Sequence, residues 1–367
     1  MTKKGLRGND MQCYNIRMFR KQIDILSIGD LTTDAFIRLK DAHVHCEVNH
    51  NDRELCVPFG GKIPFEYIKI IKAVGNAGNS AVTASRLGLN SALVSNIGDD
   101  SNGHECLAEL QKNKVITSFI KEHKNRPTNY HFVLWYDVDR TILVNHVDYE
   151  YHLPKFPTPK WIYLTSVGAN TRPYHMEIAD YLSKNPKVKL AFQPGTYQIK
   201  LGYKALEAIY KQTDVFISNV DEARKILQES GTTSKLHLEP YRGATSINPS
   251  VNFRSILKSM HELGPKLVVV TDGPKGAYMF DGDHYYHMPI YPDPRPPLER
   301  TGCGDAWAST FVSALAMGRP PLEALVIAPI NSMSVAQFIG SQEGLLKLDQ
   351  MEWWLARAPD EYRPREI

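Results

Sequence analysis

The sequence predicts an α/β fold: a mainly parallel central sheet with helices on both faces, and a small β-sheet lid beside it. Three observations lead there. Short apolar runs recur along the chain and alternate with helix-period segments, as in a parallel sheet whose strands are buried on both faces. Two regions, 35–74 and 129–145, interrupt that alternation with β segments that have no place in the main layer. The length, 367 residues with 43% hydrophobic and 23% charged side chains, suits one large α/β body with an accessory piece.

On this reading residues 1–22 are a flexible extension, 23–350 the α/β domain and 351–367 a C-terminal tail. The extension carries a modest basic cluster, Lys3, Lys4, Arg7, Arg17, Arg20 and Lys21, with no apolar run long enough for a signal peptide or a membrane span. Lys and Arg total 43 against 40 acids, a net charge of +3, which gives no reason to expect nucleic acid. Five scattered cysteines, at 13, 46, 56, 106 and 303, form no paired metal-ligand spacing and point to a reducing cytoplasm. The thirteen histidines form no HExxH-type set, so no structural metal is expected.

In chain order, the run 23–29 reads as a buried strand ending in Gly29. Two carboxylates follow, Asp30 and Asp34, just beyond the strand's carboxyl end, where open α/β sheets bind ligands. Asp34 is therefore a substrate-binding candidate, with an ordinary turn residue as the alternative. Strand-like pieces at 36–39 and 55–59 begin the lid. Gly75 and Asn79 lie where glycines lead into a small-residue helix from Ser80, and their amides can bond hydroxyls or merely cap the helix. A second buried strand, 92–98, and the start of another at 115–116 flank a helix; 129–135 and 141–144 form a hairpin around the turn 137–140. Strands at 161–165, 188–192, 215–217 and 267–270 alternate with helices to complete the sheet.

Three strand ends carry further chemistry. Asn219 and Glu222 stand three apart at a helix start, where they could hold water around Mg2+, though the spacing alone reads first as a plain helix cap. Residues 268–276 run from a strand into a Gly-Pro-Lys-Gly turn, so that Lys275 could meet a nucleotide phosphate or simply face solvent. The densest signal is the stretch 300–307. Gly302 and Gly304 remove the Cβ atoms that would keep an anion off the backbone, and the apolar helix that follows adds unpaired N–H groups and its positive end. Asp305, a carboxylate in such a cradle, is there to take a proton or to cap the helix. Cys303 between the glycines reads as a small spacer, since a thiolate would compete with the anion. Residues 322–339 read as a long helix that could wall an adenine pocket or serve as core.

These pieces, in this order, resemble the ribokinase-like carbohydrate kinases, the PfkB family, over roughly residues 23–346. The stretch 299–305 (ERTGCGD) lines up with the family's DTxGAGD-type signature, 74–79 (VGNAGN) with its early GG-xxx-N signature, and Asn219–Glu222 with its Asn-x-x-Glu motif. The resemblance implies a ribokinase-like, Rossmann-type fold, with Asp305 as catalytic base and the N–H groups of Gly302, Cys303 and Gly304 as anion hole. It further implies Asn219 and Glu222 around Mg2+, Asp34, Gly75 and Asn79 on substrate hydroxyls, and Thr271, Gly273 and Lys275 at the nucleotide. Glu299 and Arg300 stand where Asp and Thr are usual, which leaves K+ activation open. Val74 replaces a glycine, and Thr165 and Ser166 stand where ribokinase carries an acid, so ribose is a poor first guess. Phe36, Phe59 and Tyr130 would suit an acceptor with an apolar face.

The expected activity is ATP-dependent, Mg2+-assisted phosphoryl transfer to a primary hydroxyl of a small sugar or sugar-like molecule. The alternatives are a nucleoside kinase of adenosine type and a non-catalytic sugar or nucleotide sensor. The first strand lacks the GxGxxG turn of a dinucleotide enzyme. No nucleic-acid or membrane partner is expected. Pairing of lids into a homodimer would protect their strand edges.

Overall fold

A sheet of ten strands grows from the apolar runs, and its ladder follows from how they are connected. The computed structural model describes residues 22–40, 43–46, 53–136, 139–231 and 252–367, so the basic cluster up to Lys21 and the turn residues Asp137 and Val138 lie outside the described residues. The strands are β1 (Ile25–Ile28), β2 (Thr32–Leu39), β3 (His43–Cys46), β4 (Arg53–Cys56), β5 (Phe65–Val74), β6 (Ser91–Gly98), β7 (Ile116–His123), β8 (Tyr130–Tyr136) and β9 (Asp139–Asn145). They continue as β10 (Trp161–Leu164), β11 (Lys189–Phe192), β12 (Val215–Asn219), β13 (Leu267–Thr271), β14 (Ala277–Phe280), β15 (Tyr285–Met288) and β16 (Arg365–Glu366). The helices are α1 (Asn76–Arg86), α2 (Ser101–Lys112), α3 (Arg172–Lys184), α4 (Thr196–Leu201), α5 (Tyr203–Tyr210), α6 (Val220–Glu229), α7 (Phe253–Glu262), α8 (Cys303–Ala316), α9 (Pro321–Val335) and α10 (Leu348–Leu355).

The large sheet has the order β16-β15-β14-β13-β12-β11-β10-β1-β6-β7. From β13 to β7 every pairing is parallel. The alternation of strands with helices accounts for this, because a parallel neighbour needs a crossover long enough to hold a helix. The antiparallel end, β13 to β16, follows where short turns replace those crossovers; β16 comes from the C-terminal segment. After β1 the chain moves outward to β6 and β7, then returns to β10 on the other side of β1. That reversal opens a crevice at the carboxyl ends of β1 and β10.

Alternation along each strand sends side chains to both faces of the large sheet. Ile162 and Leu164 of β10 face α3, α5, α6 and α7, with Ile178, Leu206, Ile226 and Leu257 in one cluster. Tyr163 and Ala191 face the other way, with Trp307, Phe311, Leu325 and Ala328 of α8 and α9. At the start of α1 the helix lies close to the end of β5: a Cβ on Gly78 would sit 2.4 Å from the carbonyl oxygen of Ala73.

The lid is a separate four-stranded sheet, β5-β2-β8-β9, with a two-stranded hairpin of β3 and β4. Asp34, expected in a loop, sits within β2 opposite Ile71 and His131. The ladder puts Asp34, Phe36, Lys69, His131, Val133, Trp135 and Arg140 on one face. Ile68, Ile70, Phe132 and Leu143 lie on the opposite face and are exposed. Tyr130 neighbours His131 in the strand and therefore points away from the Asp34 face, onto Phe132. Of the three aromatic residues expected to receive an acceptor, Phe36 is buried and Phe59 fully exposed, so neither that pair nor Tyr130 forms one apolar wall. Strand structure stops at Cys56 rather than running to 59, where Pro58 has no N–H to give a ladder, and the long helix ends at Val335 instead of 339. Met351 and Tyr362 in the C-terminal segment are buried. Among the described residues no helix is long and apolar enough to cross a membrane.

Candidate active site

The carboxyl ends of β1, β10, β11, β12 and β13 form a row, and the sequence-chosen residues lie along it. Asp34 stands on the lid strand above β1, Gly75 caps α1, and Asn79 is one turn into that helix, 3% exposed. Asn219 ends β12 directly beside Thr271 at the end of β13, and Gly273 and Lys275 follow in a single 3-10 turn. Between these groups α8 begins at the 302–305 stretch, so Asp305 stands at the junction of the two ends of the crevice.

Asp305 is held by two side-chain amides. Asn79 Nδ2 donates to Oδ2 at 2.8 Å and Gln193 Nε2 to Oδ1 at 3.2 Å. Burial pushes the Asp305 carboxyl above the usual aspartate range, the two amides pull it back, Asp34 adds to the rise and Arg140 opposes it. Glu222, likewise raised by burial, feels the Asp305 charge, so the carboxylates of the two ends face one another electrostatically.

The helix start behaves as an open cradle. Gly302 has φ +82°, and a Cβ there would lie 2.2 Å from Ser341 Cβ, so both conformation and space require glycine. A Cβ on Gly304 would meet nothing within 4 Å, leaving room for a ligand above the first N–H groups of α8. Cys303 N–H is turned towards the carbonyl of Arg300 at 3.3 Å. Burial pushes its thiol up to about 12, so it is no thiolate at neutral pH.

Asn219 and Glu222 form a reciprocal cap. Asn219 Oδ1 accepts from Glu222 N–H at 2.9 Å, and Glu222 Oε2 accepts from Asn219 N–H at 3.0 Å. Lys275 Nζ lies 3.6 Å from Asp272 Oδ2. Glu299 is 1% exposed; its Oε1 accepts from the N–H and hydroxyl of Thr301, while Oε2 is buried with no hydrogen-bond partner among the described residues.

Several site residues carried no sequence signal beyond their place. Asp30 is buried and accepts from the Tyr151 hydroxyl at 2.9 Å, with His146 Nε2 at 2.7 Å. His131 Nδ1 lies 3.4 Å from Asp34 Oδ1. Thr165 Oγ1 is buried with no hydrogen-bond partner among the described residues, at the crevice end of β10. Gln193 was legible in principle: it directly follows an apolar strand and precedes Pro194, which holds it extended at the sheet's carboxyl edge. His146 and Tyr151 follow no motif, because only the folded lid brings them to Asp30.

The sequence pattern of "pfkB family carbohydrate kinase" matches residues 71–347. This chain belongs to that family. As a pfkB-family member it is a phosphotransferase with an alcohol acceptor, a sugar or nucleoside kinase of ribokinase type. It is 22% identical over 298 residues to the ATP-dependent 6-phosphofructokinase of Thermoanaerobacterium thermosaccharolyticum, covering 76% of this chain and 83% of the relative. It is 25% identical over 287 residues to the ribokinase of Bacillus subtilis, covering 76% and 86%. The nucleoside kinase of Methanocaldococcus jannaschii, a solved structure, superposes with a TM-score of 0.69 at 16% identity, covering 92% of this chain and 99% of that one.

The cradle yields a paired expectation. Gly302→Ala should lower the melting temperature and weaken nucleotide binding, since a left-handed residue pressed on Ser341 must move. Cys303→Ser should bind nucleotide as the parent does. Thermal melting and a nucleotide titration check both; loss of binding in Cys303→Ser would return the thiol to the site.

Proposed function

We propose that this family member transfers the γ-phosphoryl group of ATP to a primary hydroxyl of a small sugar or sugar-like molecule. The observation that carries the proposal is the placement of Asp305: a recessed carboxylate beside an open helix start, between Asp34 and the Asn219–Glu222 end of the crevice. In this reading Asp305 accepts the hydroxyl proton as the oxygen attacks, help typically worth about 10² to 10⁴ in rate. Backbone N–H groups of Gly302 to Gly304 hold the charge that grows on the phosphoryl oxygens; the turn of Cys303 N–H towards Arg300 leaves Gly304 the most open of the three. Asp34, Gly75 and Asn79 bind acceptor hydroxyls, and the side-by-side ends of β12 and β13 bring Thr271, Gly273 and Lys275 to the nucleotide.

The oxygens of Asn219 and Glu222 suit Mg2+ held through water, which when bound screens the triphosphate. Their hydrogen bonds to each other fix both side chains for that task without needing to break. Glu299 Oε2, buried with no hydrogen-bond partner among the described residues, fits a monovalent cation, so turnover should rise when KCl replaces NaCl; equal rates in the two salts would remove K+.

A nucleoside acceptor is the second reading, favoured by Tyr197 against His146 with ring centroids 5.5 Å apart beside Asp30. Fructose, ribose, 2-keto-3-deoxygluconate, adenosine and inosine, each offered with ATP and Mg2+, separate the two readings. Absence of turnover with all of them, despite ligand binding, would favour a sensor. With the best acceptor, Asp305→Asn should reduce kcat by about 10² or more while ATP binding persists. Because only the ionised base works and its pKa is raised, kcat should fall with decreasing pH at a midpoint above the ordinary aspartate value of about 3.9. Near-parental turnover in Asp305→Asn would remove it from the mechanism.

A homodimer through the lid would cover Ile68, Ile70, Phe132 and Leu143 on the face turned from the crevice. Light scattering should then give twice the chain mass, and Ile70→Glu with Leu143→Glu should give the single chain. A monomeric parent would dismiss the lid dimer.

A further inference from the structure

We propose that Tyr163 and Gln193 form a polarity relay that presents an N–H donor to Asp305 and keeps this carboxylate ionised until the acceptor hydroxyl arrives. The inference rests on the reading of Asp305 as base and adds two positioning residues behind it.

A primary amide has nearly the same shape in either orientation, so what lies behind it decides which end meets a carboxylate. Behind Gln193 is the hydroxyl of Tyr163, which donates to Gln193 Oε1. That bond uses the carbonyl end and leaves Nε2 to face Asp305 Oδ1 at 3.2 Å. Tyr163 is 1% exposed, and burial together with the Asp305 charge pushes its phenol well above the usual range, so it remains a donor. The sheet sets this up. Tyr163 on β10 is laddered with Ala191 on β11, and Gln193 is two residues beyond Ala191, on the same face. Gln193 N–H is pinned by the carbonyl of Leu164 at 3.0 Å.

The other amide is locked in the same sense. Asn79 Oδ1 accepts from Ser341 Oγ at 2.9 Å and Gln342 Nε2 at 3.1 Å, which turns Asn79 Nδ2 towards Asp305 Oδ2. Both carboxylate oxygens therefore receive N–H donors whose reversal is blocked by a second donor. The need for this is electrostatic. Among the described residues, Asp34 from β2 and Arg140 from β9 act on the Asp305 carboxyl, Glu222 from α6 feels its charge, and the phenol of Tyr163 stands behind on β10. Burial and Asp34 favour protonation, and a protonated Asp305 could not take the acceptor's proton. Donors aimed at the charged form work against that.

The test reads Asp305 directly. In protein carrying 13Cγ-labelled aspartate, the signal that Asp305→Asn removes belongs to this carboxyl and can be titrated without an acceptor. Tyr163→Phe, which deletes one oxygen, and Gln193→Met, which keeps the length without the N–H, should each raise its midpoint by about one pH unit. With the best acceptor, the acid limb of the kcat profile should move by the same amount while ATP affinity stays at the parent value. An unmoved midpoint in either folded variant overturns the relay, and if one variant does not fold, the midpoint of the other decides. The two ideas separate cleanly. An inactive Asp305→Asn with unmoved midpoints sinks the relay alone, whereas an active Asp305→Asn with moved midpoints sinks the base reading and leaves the amide lock standing.

Discussion

A half-buried carboxylate, pushed towards its neutral form by burial and Asp34 and back towards its charged form by two amides, is the constraint around which the site is arranged. Burial of Asp305 favours its neutral form, and Asp34 pushes the same way. Two amides oppose that push, and they come from opposite directions: Asn79 from α1 and Gln193 from the end of β11. They meet at one residue because α1 and α8 pack closely on the sheet through small side chains. Gly78 lets α1 come up against Ala73 and Leu31, and Ala306 is fully buried in the first turn of α8, so the position of the Asp305 carboxyl depends on residues with almost no side chain.

The same economy governs the lid. β2 continues from β1 through only a few residues, so Asp34 on the lid and Asp30 at the sheet edge are tied to one short segment. The lid thereby brings a carboxylate, His131 and Arg140 over the crevice on a single sheet face. Its other face remains apolar and exposed.

The pair Asn219 and Glu222 shows how a structural role and a ligand role coexist. Their mutual hydrogen bonds are those of a helix cap, the plain reading of the spacing. The cap also holds both oxygens at the carboxyl end of β12 beside Thr271, where a bound triphosphate would need them. Local hydrogen bonding and proposed chemistry therefore place the same demand on the two side chains.

The sequence by itself determined the parallel sheet, the segregation of lid strands, and the residues at strand ends and helix starts. These are local features: strand runs, glycine positions and capping pairs leave their mark within a few residues. It could not show the antiparallel end of the sheet, the strand position of Asp34, or which way Tyr130 faces, since these depend on ladder partners far along the chain. The networks around the site were equally hidden. Asp30 with His146 and Tyr151, and Asp305 with Gln193 and Tyr163, join residues that the chain separates widely. Only tertiary packing decides such contacts, because a hydrogen bond is set by distance and direction in space and leaves no periodic trace in the sequence.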